Sequence, residues 1–101
     1  MAKPIGYEEV TATAAAAIGL TTATVDTLAA ANPDIWALIY NSNLTTYPAA
    51  WLMYGTPTAA TFQQMAAGDS IQIKGVQMLK AFLAIGVGGS AKLAVNYFSG
   101  E

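Results

Sequence analysis

The sequence predicts an all-β chain, a small antiparallel β-sandwich or jelly roll. Three observations carry this: about seven short runs of alternating or wholly apolar residues, turn residues recurring roughly every eight to twelve positions, and no long amphipathic helical stripe. At 101 residues the chain is expected to form one domain with its own core. Residues 1–6 read as a flexible N-terminal arm, because Pro4 and Gly6 interrupt regular structure, and residues 7–101 as a single β-sandwich domain.

The elements follow in order. From Tyr7 to Thr13 the chain alternates Tyr7, Glu9, Thr11 and Thr13 with Glu8, Val10 and Ala12, as a first strand does. Ala14–Ala17 has helical propensity but is too short to stand alone and meets Gly19, so it reads as a strand end and turn, with a short helical turn as the runner-up. Leu20–Val25 leans to β, and Leu28–Asp34 closes on the turn Asn32-Pro33-Asp34. Ile35–Tyr40 is the densest apolar run and the best central strand, with Trp36, Leu38 and Tyr40 on one face and Ile35, Ala37 and Ile39 on the other. Ala50–Tyr54 carries Trp51 and Met53 against Leu52 and Tyr54, Gly55-Thr56-Pro57-Thr58 breaks it, and Phe62–Met65 is one more short extended piece.

The last third is expected to hold three strands. Ser70–Lys74 alternates about Ile71 and Ile73, with Gly68-Asp69 before it and Gly75 after it. Leu79–Val87 reads as one strand buried on much of both faces. Gly88-Gly89 then reads as a tight hairpin that pairs it with Ala91–Phe98, whose Leu93, Val95 and Tyr97 share a face.

Composition narrows the function. Only 10% of residues are charged, against roughly 25% in ordinary soluble proteins. Such a shortage suggests a surface partly covered by further copies of the chain, as a dimer or trimer, or by a partner. With net charge −2, four lysines and no arginine, the chain lacks the clustered cations that nucleic acid demands. No cysteine or histidine is present, so disulfides, zinc thiolates and imidazole acid–base chemistry are excluded. The N-terminal segment has no apolar core of a secretory signal. The charge-free stretch 35–68 is broken by Pro48, Gly55 and Pro57, so no membrane helix is expected.

Catalytic material is thin. Of the six acids only Glu8 and Glu9 are adjacent, and strand neighbours point to opposite faces. Asp69 beside Gly68 suits a turn, and no phosphate-binding, dinucleotide or nucleophile-elbow spacing occurs. The chain therefore reads as a non-enzyme without a metal or cofactor. The aromatics Trp36, Tyr40, Trp51 and Tyr54 are the candidate binding residues. Lying within apolar runs, they suit core packing or a subunit interface better than a sugar-stacking platform.

Gly55-Thr56-Pro57-Thr58, Gly68-Asp69-Ser70-Ile71, and Gly89-Ser90-Ala91-Lys92-Leu93 with Val95 and Tyr97-Phe98 resemble a pattern in small structural proteins of tailed bacteriophages. The resemblance covers residues 55–98. It implies a β-sandwich or jelly-roll protein of the virion, a capsid decoration or cement protein on the capsid exterior that binds the major capsid protein and stabilises the assembled head. The alternative is a head-fibre or tail-associated module that binds host surface glycans. No catalytic residues are implied.

Overall fold

The computed structural model describes residues 2–41, 49–53, 63–66 and 68–100. In chain order these form β1 (Lys3–Ala12), β2 (Ile18–Gly19), α1 (Thr22–Ala31), β3 (Ile35–Asn41), β4 (Ala49–Met53), β5 (Gln63–Met65), β6 (Ser70–Lys74), α2 (Val76–Ala81), β7 (Phe82–Gly86) and β8 (Ala91–Ser99). The strands make two antiparallel four-stranded sheets, ordered β1-β8-β3-β6 and β2-β7-β4-β5.

One rule generates both orders. β1 pairs with β8, β2 with β7, β3 with β6 and β4 with β5. The chain is thus a single long hairpin, β1 to β4 running out and β5 to β8 running back. Folding it over onto itself adds the pairs β3·β8 and β4·β7. This rolled hairpin is the jelly-roll topology. It follows that, among the described strands, only β4 and β5 are consecutive within one sheet.

Alternation in the strands supplies the inner faces. Val10, Ala12, Ile35, Ala37, Ile39, Ile73, Leu93, Val95 and Tyr97 from one sheet meet Ala49, Phe82 and Ala84 from the other in one buried cluster. β3 is central, paired on both sides, as its uninterrupted apolar run predicts. β6 matches the predicted bounds, flanked by Gly68 and Gly75 at φ +92° and +93°.

Several expectations are overturned. The predicted β7–β8 hairpin does not exist: β7 pairs with β2 and β4, β8 with β1 and β3, and Gly88-Gly89 carries the chain from one sheet to the other. Gly88 does adopt φ +84°, but a tight turn need not join hydrogen-bonded neighbours. The segment read as one strand from Leu79 is split, because Leu79 and its neighbours form α2 before β7 starts at Phe82. Residues 3–6 are no free arm, since Lys3, Pro4 and Gly6 pair with Ser99, Phe98 and Tyr97 across a register irregularity between Pro4 and Gly6. β1 is an edge strand, where proline's missing N–H costs no ladder bond.

The segment 20–25, read as β-leaning, is instead helical from Thr22 onward, in α1. Val25, Leu28 and Ala29, at helical spacing, turn to the core and outweigh the β preference of three threonines. The helix ends at Asn32, whose backbone N–H and side-chain amide both donate to Leu28 O, at 2.9 and 3.0 Å. Pro33 prevents continuation. Ala14–Ala16 are bends, as the turn reading expected. The predicted breaker Gly55-Thr56-Pro57-Thr58, Tyr54 and Phe62 lie outside the described residues.

Candidate functional site

The outer face of the β1-β8-β3-β6 sheet carries a group of large apolar side chains that the core does not use. The strand registers place them in rows. One row runs Pro4, Phe98, Trp36, Lys74; the next Tyr7, Asn96, Leu38, Gln72; the next Glu9, Ala94, Tyr40, Ser70. Tyr7 is 59% exposed, while Trp36, Leu38, Tyr40 and Phe98 are half-buried. The charges on this face, Glu9, Lys74 and Lys92, stand on edge strands or at a strand end, so its centre is uncharged.

At one end the face is rigid. The Trp36 and Phe98 rings stack with centroids 4.5 Å apart and planes within 16°, a favourable aromatic geometry. The Trp36 indole N–H donates to Gly100 O at 2.5 Å. Beside it opens a cleft of about 260 Å³ lined by Pro33, Asp34, Ile35, Trp36, Lys74, Gly75 and Gly100. Its wall is closed by the Gly75 amide, which donates to Ile35 O at 3.0 Å.

The four predicted aromatics do not form one platform. Trp36 and Tyr40 share the outer face of β3, but they stand four positions apart along the strand, about 13 Å. Trp51 lies in the opposite sheet and packs against the core, its ring centroid 5.9 Å from that of Phe82. Its indole nitrogen is buried and finds no hydrogen-bond partner among the described residues. Tyr54 lies outside the described residues. Tyr7, Leu38 and Phe98 complete the face instead. Leu38 and Phe98 lie in strands the sequence predicted, but only strand order brings their rows together on one face.

The acids are dispersed. Glu8 faces inward and accepts the Tyr97 hydroxyl at 2.5 Å and the Thr21 hydroxyl at 2.6 Å, whereas Glu9 points outward. Asp26 pairs with Lys80 at 3.0 Å across the two helices. Asp69 accepts the Ala66 amide at 3.2 Å in its turn, as expected of an Asp there. Among the described residues, no three acids, histidines or cysteines converge as a metal site would require, and no helix is long and apolar enough to cross a membrane. No family model, curated protein or solved structure matches the chain.

Proposed function

We propose that the chain is a virion structural protein, a decoration or cement protein that docks on the outside of an assembled capsid and stabilises it. The observation that carries the reading is the outer face of the β1-β8-β3-β6 sheet, whose uncharged centre carries Tyr7, Leu38, Tyr40 and Phe98 between charges at its edges and strand ends. The low charge content and the phage-like motifs of residues 55–98 support it. A small rigid domain bridging neighbouring shell subunits adds binding free energy only to the assembled state, so mass action moves disassembly to harsher conditions. No covalent chemistry is needed. The major capsid protein is the partner, and copies of this chain, as dimers or trimers, meet through the β3 side of the face.

The alternative is a fibre or tail module that binds host surface glycans through Trp36, Trp51 and adjacent tyrosines; the two indoles lie in opposite sheets, so they would have to act as separate sites rather than one platform. The test of the cement reading compares particles with and without the protein, and with a Leu38→Asp variant, on heating or at lowered ionic strength. Depleted and Leu38→Asp particles are expected to release their genome at a lower temperature. Release at the same temperature in all three would overturn the reading.

A further inference from the structure

The cleft beside Trp36 has the parts of a small-molecule site, and they come from three separate strand ends: Pro33-Asp34 entering β3, Lys74-Gly75 leaving β6, and Gly100 after β8. We propose that it binds one pyranose ring of a neutral saccharide, stacked on the indole of Trp36 and held at its hydroxyls by Asp34 and Lys74.

Orientation of the indole comes first. The register sets Trp36 between Phe98 on one side and Lys74 on the other. Phe98 covers one face of the ring, and the cleft is lined by Lys74 but not by Phe98, so it opens along the uncovered side. The N–H is already given to Gly100 O. What the indole offers a ligand is therefore an apolar ring face held at a fixed angle. Fixing the ring before binding removes the ordering cost that would otherwise weaken a small ligand.

The polar groups select the ligand. The side chains of Asp34 and Lys74 make no ion pair or hydrogen bond with another described residue, and both residues are exposed at the cleft. A carboxylate only accepts and an ammonium only donates. A pyranose satisfies both, because adjacent hydroxyls donate to the acid and accept from the amine while the C–H face of the ring lies on the indole. The aromatic or proline side chain of a protein partner would desolvate both charges and pair with neither. An anionic ligand would suit Lys74 but meet Asp34. The volume of about 260 Å³ falls just below the roughly 300–1,000 Å³ of pockets for larger ligands, which suits a single ring of a chain end or branch.

This inference stands apart from capsid docking, which uses the centre of the sheet face, and it is tested on the isolated protein. The two tryptophans give two indole N–H signals in a ¹⁵N spectrum, and the core-packed Trp51 serves as an internal reference. Methyl glycosides of glucose, galactose and N-acetylglucosamine are titrated, with N-acetyltyrosinamide as the aromatic probe. The expected result is a saturable shift of the Trp36 indole and of the Gly75 and Gly100 amides by at least one glycoside, with a dissociation constant on the order of 1 mM. The Trp51 signal stays fixed. Asp34→Ala and Lys74→Met, both surface changes whose folding the rest of the spectrum verifies, are each expected to weaken binding about tenfold or more. The inference is overturned if no glycoside moves the Trp36 signal, if the shifts persist undiminished in both variants, or if only the tyrosine amide binds.

Discussion

Tyr97 is fully buried, yet its hydroxyl reaches Glu8, which also accepts the Thr21 hydroxyl and, at 3.3 Å, the Thr21 amide. Thr21 is the N-cap residue of α1 and makes no side-chain cap bond within its own helix. Glu8 therefore ties the β1·β8 pair to the start of α1. Tyr97→Phe removes a bond to a charged group and is expected to cost about 1.5–3 kcal/mol in denaturant unfolding. Burial, then the hydrogen bond to Glu8, then the charge of Glu8 push the Tyr97 hydroxyl far above the ordinary tyrosine range. The unfolded chain thus loses this proton first as pH rises. Stability from this group is complete below pH about 10 and declines above it. Thermal melts should show that decline in the native chain and a shallower one in Tyr97→Phe; parallel slopes would count against the assignment.

A second residue-scale constraint sits where the two sheets' connections meet. The Gly86 amide donates to Thr13 O at 3.0 Å. A Cβ on Gly86 would lie 1.8 Å from Gly89 O and 2.7 Å from Ala12 O, both backbone atoms that cannot rotate away. Gly86→Ala is expected to cost about 3 kcal/mol or more, among the largest effects of a single methyl group. A midpoint within error of the native one would show that the backbone yields there.

At the scale of elements, the two helices close the sandwich with unequal forces. Leu79 of α2 is completely buried, and Leu79→Ala should cost about 2–5 kcal/mol. Its neighbour Lys80 pairs with Asp26 across the surface, where both side chains remain substantially exposed. Lys80→Ala should cost under about 1 kcal/mol, and less at high salt. Urea midpoints of the two variants measure the contrast. Equal losses would mean that the interhelical ion pair, rather than apolar packing, seats α2.

For the whole molecule, the rolled hairpin makes almost every strand pairing distant in sequence. β1 waits for β8 and β2 for β7. Loop-closure entropy must be met before such contacts repay it, so folding in the millisecond-to-second range of β-sandwiches is expected. A peptide of residues 79–98 isolates β7 and β8, which belong to different sheets. It should therefore be unstructured by NMR, with no cross-strand contacts about Gly88. A stable hairpin in that peptide would contradict the topology as the organising principle of the fold.

Two-residue alternation in β1 from Tyr7 on, β3, β6 and β8 was enough to find these strands and divide their side chains between two faces, because side chains on an extended backbone must alternate. Local spacing also held the signal for α1, in Val25, Leu28 and Ala29, but the threonines masked it. Tertiary structure alone decided which strands are neighbours. Gly88-Gly89 is equally able to close a hairpin or to carry the chain between sheets, and only the prior claim of β1 and β3 on β8 chooses the second. The candidate sites divide in the same way: Trp36 was legible as an aromatic sharing one face of the central strand with Leu38 and Tyr40. Its company was not, since Phe98, Lys74 and Gly100 come to it from distant positions, and partners across a sheet are fixed by the global roll of the chain rather than by any local preference.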